Sequence, residues 1–133
     1  MGPLRTHGAS EAEDEVHRAT PEITHCSFGA LTVDGVHYSE DVIITPEGVQ
    51  KHWWRVECHL LTPCDLDDVL SRSPSLLVIG TGCDGLMTAP ESTLAFLDSH
   101  HVEYQLHRTP HACIVYNQQR LRRRTFALLH LTC

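Results

Sequence analysis

Leu76-Leu77-Val78-Ile79-Gly80-Thr81-Gly82 is an apolar run of strand length that stops abruptly at a Gly-Thr-Gly turn. No polar residue alternates through it, so it reads as a strand buried on both faces, as in the middle of a parallel or mixed sheet. In such sheets ligands are usually bound outside the carboxyl ends of the strands. The turn is therefore the candidate site. Its two glycines let a backbone or ligand approach closely and leave N–H groups that can bind an anion. Gly82 is not followed by the x-x-Gly of a dinucleotide fingerprint, and a plain strand-ending turn uses the same residues.

Working outward, the second half of the chain alternates helix and strand. Thr62-Pro63 followed by Asp65 to Leu70 has an N-cap, a helix-compatible proline and first-turn acids, and Ser73-Pro74 stops it. A helix is predicted from Pro90 to about His100, a strand from Val102 to His107, a third helix from Thr109-Pro110, and a closing strand from Thr125 to Leu131. This alternation implies crossover connections and parallel β-α units. The first half reads as antiparallel β. Ser27 to Val33 and Val36 to Tyr38 flank Asp34-Gly35, a hairpin signal, and Asp41 to Thr45 and Val49 to Trp54 flank Pro46-Glu47-Gly48. The predicted class is α/β with a mixed sheet, and the predicted core includes Leu77, Val78, Ile79, Leu94, Leu97, Ile114 and Leu128. Residues 1–21 are polar and acidic without period and read as a disordered tail, leaving 22–133 as a single domain.

With 133 residues, 41% of them hydrophobic and 20% charged, the chain has the composition of an ordinary globular protein. A formal net charge of −7 disfavours nucleic acid and anionic membrane as partners. Arg120, Arg122, Arg123 and Arg124 concentrate basic charge, but a solvated helix end explains them. No apolar run reaches the ~18 to 20 residues of a membrane span. Without a secretory signal the expected address is the cytoplasm, and the six cysteines are expected to be free thiols.

Eleven histidines and six cysteines raise the question of a metal. Zinc ligands usually come as close pairs such as Cys-x2-Cys or His-x3-His. His107 and His111 have that separation, but Thr109-Pro110 places one at a strand end and the other in a helix, and Cys58 and Cys64 are too far apart for a knuckle. No metal and no cofactor are expected. Cys113, early in the third helix, and Cys83, after the Gly-Thr-Gly turn, are candidate reactive thiols, although neither has a complete set of partners. In a strand the pair Trp53-Trp54 would face opposite sides, one into the core and the other outward as an anchor for a partner.

The residues also carry a resemblance. Trp54-Arg55-x-Glu57-x-His59-x-Leu61-x-x-x-Asp65-Leu66, then Leu77 to Gly82, then Thr109-Pro110-x-Ala112 with Tyr116-Asn117, and finally His130-Leu131-Thr132-Cys133 resemble the small α/β domain of the MTH type. That domain is shared by the mitochondrial respiratory complex I assembly factor 3 and the adipogenesis-associated MTH-type domain-containing protein. The resemblance covers about Ile23 to Cys133. It implies a three-layer α/β/α fold with a mixed central sheet and no established enzymatic reaction. The chain departs from the pattern at Cys58, where glycine is expected, at Cys64, where an acid is expected, and in lacking a glycine after the Tyr116-Asn117 helix.

The function expected on this basis is a non-enzymatic interaction or assembly module with an unknown protein partner, compatible with weak homo-oligomerisation. The alternative is a thiol-dependent enzyme or redox sensor using Cys113 or Cys83. The expected binding surface joins Gly80, Thr81 and Gly82 to the start of the third helix. Thr109 is the cap, His111, Cys113 and Asn117 lie within reach, and Trp54, Arg55 and His59 form the opposite wall. Replacing Gly82 by Val is expected to impair binding more than stability.

Overall fold

The computed structural model describes residues 20–133. The predicted tail therefore lies outside the described residues apart from Thr20 and Pro21, which are buried. Strands β1 (Ile23–Ser27), β2 (Ala30–Val33) and β3 (Val36–Tyr38) come first, then β4 (Val42–Thr45) and β5 (Gly48–Gln50). A 3-10 turn (Pro63–Leu66) runs into α1 (Asp67–Ser71), followed by β6 (Leu76–Thr81), α2 (Glu91–Ser99), β7 (Glu103–His107), α3 (Thr109–Gln119) and β8 (Thr125–His130).

Two sheets result. β1, β2 and β3 form an antiparallel meander, and the central five-stranded sheet has the order β5-β4-β8-β6-β7. Within it β4 pairs antiparallel with β5 and β8, whereas β6 pairs parallel with both β7 and β8. The fold is thus α/β with a mixed central sheet, antiparallel strands from the first half and parallel β-α units from the second. The first three strands do not join the central sheet. The stretch from Ser27 to Val33, read as one strand, is folded back at Phe28-Gly29 so that Ser27 pairs with Ala30. Asp34-Gly35 forms the expected turn, with φ of 49° and 82°, the left-handed conformation that a two-residue hairpin of this type requires at both positions. The predicted strand to Trp54 ends at Gln50, and His52 takes a left-handed φ of 57°, which extended backbone does not accommodate.

One face of the central sheet, with Val42, Ile44, Val78, Ala127 and Leu129, packs on α3 and the small sheet. Ile43, Leu77, Ile79, Phe126 and Leu128 on the other face pack on Leu66, Val69 and Leu97 of the 3-10 turn, α1 and α2. This gives three layers. β6 carries no exposed residue from Leu76 to Gly80, as its unbroken apolar pattern required. Two expected core residues fall elsewhere: Leu94 is half-buried and Ile114 is 54% exposed. The buried face of α3 is Thr109, Ala112, Cys113, Val115 and Tyr116. Residues three and four apart share a helix face, which leaves Ile114 pointing away from the sheet.

The strand order reverses at β6, because α2 leads outward to β7 while α3 leads back across to β8 on the other side. Such a reversal opens a crevice at the carboxyl end of the strand, and the Gly80-Thr81-Gly82 turn lies there.

Candidate functional site

The polar centre of the molecule is built around Asp41, just before β4. β4 pairs with β8 in a register that sets Val42 opposite Leu129, and this carries Asp41 to the end of β8. There its carboxylate accepts from His130 Nδ1 at 2.8 Å, from the Leu131 N–H at 2.8 Å and from Arg55 Nη2 at 2.7 Å. Arg55 also donates to the Cys58 carbonyl and stacks 4.5 Å over the Trp53 ring. The Arg55 and His130 side chains are only 3% and 2% exposed, against 18% for Asp41. Burial alone would raise the Asp41 pKa, but the hydrogen bonds from His130, Leu131 and Arg55 outweigh it and hold the carboxyl below its usual range. An ionised carboxylate only accepts, so the proton between it and His130 sits on Nδ1. The other ring nitrogen of His130, Nε2, is buried and has no hydrogen-bond partner. The ring of His59 packs edge-on against that of His130 at 5.3 Å, and His59 Nε2 lies 3.7 Å from Cys133 Sγ.

The Gly-Thr-Gly turn lies next to this centre and is filled by the chain itself. Gly82, at φ +105°, lies so close to residue 133 that a Cβ there would sit 2.4 Å from the Cys133 carbonyl carbon and 2.9 Å from His130 Cδ2. The close approach expected of the two glycines is thus used by residue 133 at Gly82 and by Thr109 at Gly80. The N–H groups expected to be free have partners: Gly82 donates to Thr109 Oγ1 at 2.9 Å and Cys83 to the Thr132 carbonyl at 2.6 Å. Thr109 does not cap its own helix, since Arg108 occupies the N-cap position. Instead its buried hydroxyl links the turn to β8, accepting from Gly82 and donating to the His130 carbonyl. A valine at Gly82 would collide with backbone, so this substitution cannot separate binding from stability.

Comparison with known proteins places this architecture. Residues 23–130 match the family described as a protein of unknown function (DUF498/DUF598). The chain belongs to this family. Among solved structures it resembles the hypothetical protein PH1505 of Pyrococcus horikoshii, with a TM-score of 0.72 and 23% identity over 84% of this chain and 99% of that one. Protein XCC1710 of Xanthomonas campestris gives a TM-score of 0.74 at 19% identity, covering 84% and 85%. A Mth938-like domain protein of Bordetella pertussis gives 0.58 at 22%, covering 85% and 87%. At these identities the likeness establishes the fold, a small α/β domain of the Mth938 type.

Within this DUF498/DUF598 domain the expected site residues divide into two groups. Gly80, Gly82, Thr109, Arg55 and His59 surround the end of β8, while Thr81 donates to the His107 carbonyl. Trp54 is 84% exposed beside them. The others lie elsewhere. Asn117 makes paired bonds to the backbone of Ile23 and so fixes β1; His111 is exposed and packs on His107. Cys113 is buried against Cys26, and this contact together with burial pushes its thiol far above the ordinary range. Burial also raises the Cys83 thiol, so neither cysteine has the lowered pKa of a nucleophile. Three of the four clustered arginines are engaged internally: Arg120 on the Thr20 carbonyl, Arg123 on Glu103, and Arg124 on both oxygens of Glu47. Among the described residues no helix is long and apolar enough to cross a membrane. Sequence reasoning missed Asp41, His130 and Cys133 as site residues. A signal was present in the mixed pair His130-x2-Cys133, which a search restricted to like pairs passes over.

Proposed function

We propose that the chain is a docking module without a reaction of its own, and that its contact surface is the groove beside Trp54. The observation that carries this reading is an 84% exposed tryptophan held between two anchored neighbours. Trp53 is buried and donates its backbone N–H to the Asp41 carbonyl, and Arg55 is fixed in the Asp41 cluster. An exposed tryptophan on a rigid backbone is the kind of residue that dominates protein interfaces, because little entropy is lost when it is covered. Val56, 78% exposed, extends the apolar surface. The adjoining groove of about 500 Å³ is lined by Trp53, Trp54, Val56, Asp65 and Asp68 among others. Apolar anchors beside carboxylates, on a chain of net charge −7, favour a partner protein that presents an apolar side chain flanked by basic residues. The thiol-enzyme alternative gains no support from the raised Cys113 and Cys83 thiols, and an anion site at Gly80-Thr81-Gly82 would need donors that are already bonded.

A photo-crosslinking residue at position 54, compared with the same residue at the exposed Phe28 in the turn between β1 and β2, tests this reading in cells. A discrete heterologous adduct specific to position 54 is expected. Identical adducts at both positions, no adduct, or an adduct only with a second copy of the chain would overturn it.

A further inference from the structure

We propose that His59, His130 and Cys133 form a binding site for a borderline transition-metal ion of the zinc class, with one coordination position left for water or a ligand. The proposal does not depend on the docking surface. The three residues each offer a ligand atom, and these atoms lie within 4.8 Å of one another. Asp41 occupies His130 Nδ1, so the available nitrogen is Nε2, the buried atom without a hydrogen-bond partner. A ring whose Nδ1 is held by a carboxylate presents Nε2 to a metal. A carboxylate fixing the far side of a histidine ring is also the usual support for a metal-bound imidazole. Here that carboxylate is itself fixed by Arg55 and the Leu131 N–H.

The spacing suits a small tetrahedral ion. Bonds of about 2.1 Å to nitrogen and 2.3 Å to sulfur put the two ligand atoms about 3.6 Å apart in a tetrahedron; His59 Nε2 and Cys133 Sγ are 3.7 Å apart. His130 is buried and held by Asp41, whereas His59 is exposed and Cys133 half-buried, so these two side chains can close the remaining ångström. Two imidazoles and a thiolate select zinc-class ions over magnesium or calcium, which require oxygen ligands. Binding converts the Cys133 thiol to a thiolate and releases its proton to solvent. His130-x2-Cys133 supplies a close pair, but the third ligand, His59, comes from a loop and joins it only through the fold.

The test is a titration of the reduced, chelator-treated chain with Co²⁺, followed by displacement with Zn²⁺. One equivalent of Co²⁺ should give d–d bands of tetrahedral intensity and a thiolate-to-cobalt charge-transfer band, both lost on adding Zn²⁺; Mg²⁺ should have no effect. Cys133→Ser should abolish the charge-transfer band, and His59→Asn should weaken binding about tenfold or more. His59 is exposed and Cys133→Ser is nearly isosteric, so folding should persist, to be checked by thermal melting. Asp41→Asn, where it folds, should weaken binding about 10- to 100-fold through loss of ring orientation. Cys64→Ser should change nothing. A charge-transfer band that survives Cys133→Ser, affinity unaffected by His59→Asn, or no saturable cobalt spectrum would each overturn the proposal.

Discussion

Replacing Asp41 by alanine would remove one carboxylate and leave two buried side chains without their partner. Removal of one member of a buried ion pair costs about 3 to 5 kcal/mol, because the remaining charge loses its compensation without returning to water. Two features place this case at the low end. Asp41 is 18% exposed where Arg55 is 3% exposed, and Arg55 keeps the Cys58 carbonyl at 2.9 and 3.2 Å. The Leu131 N–H also loses its acceptor, so the expected loss is about 3 kcal/mol. At a urea m-value of roughly 1.5 kcal/mol/M, the denaturation midpoint should fall by about 2 M with its slope unchanged. The measurement is made with chelator present, so that metal binding does not contribute. Asp41→Asn keeps an acceptor for Leu131 and should lose less, which isolates the charge. Because the folded-state pKa of Asp41 is lowered, its contribution is present above the ordinary carboxylate range and is lost as pH falls through the folded value. The gap between wild type and Asp41→Asn should therefore close on acidification below about pH 4. A loss under about 1 kcal/mol for Asp41→Ala, typical of an exposed ion pair, or a gap that widens in acid, would refute this reasoning.

Two glycines at positive φ should respond differently to substitution. Gly35, at φ +82° with nothing within 4 Å of an added Cβ, should lose about 1 kcal/mol on change to alanine, from backbone strain alone. Gly82→Ala adds a collision with the Cys133 carbonyl at 2.4 Å and should cost several kcal/mol or displace residues 131–133; equal melting points for the two variants would contradict the packing described. For the thiols, alkylation of the native chain followed by peptide mapping should modify the exposed Cys58 and Cys64 first. Cys113, buried and held protonated beside Cys26, should react only on unfolding, and labelling at the rate of Cys58 would show that its burial is not maintained.

The parts of the fold visible in the sequence are those set by local pattern. The run from Leu76 to Ile79 has no alternation and is an interior strand; Asp34-Gly35 has the residues of a tight turn and is one; Thr62-Pro63 with Asp65 has the residues of a helix start, and a helical turn begins there. Where two local signals compete, hydrophobicity alone misleads. It assigns Ile114 to the core, although Thr109, Ala112, Cys113 and Tyr116 have the helical spacing of a single face. The separation of β1, β2 and β3 into their own sheet has no local signal, since any alternating strand can pair with any edge. The candidate site is half visible for the same reason. Arg55 and His59 stand out near the tryptophan pair, but Asp41 joins them only through the pairing of β4 with β8, which brings together residues some ninety positions apart.

That pairing also explains why the chemistry lies beside the expected crevice and not in it. The reversal of strand order at β6 opens a gap at the Gly-Thr-Gly turn, and the segment 131–133 closes it from three sides. The Leu131 carbonyl accepts from Gly29 in the small sheet, its N–H donates to Asp41, and the Thr132 and Cys133 carbonyls accept from Cys83 and Leu86. At about 1 kcal/mol for each of these four bonds and about 2 kcal/mol for exposing the buried Leu131 side chain, withdrawing the segment costs about 6 kcal/mol, an open population below roughly one in ten thousand. A ligand seated at the turn would have its affinity reduced by the same factor. The same segment that fills the crevice carries Cys133 to the edge of His130, where His59 meets them from the loop after Trp54. Gly82 thus acts at one remove: by admitting the backbone of residue 133, it positions a thiol beside a histidine whose Nε2 has no hydrogen-bond partner.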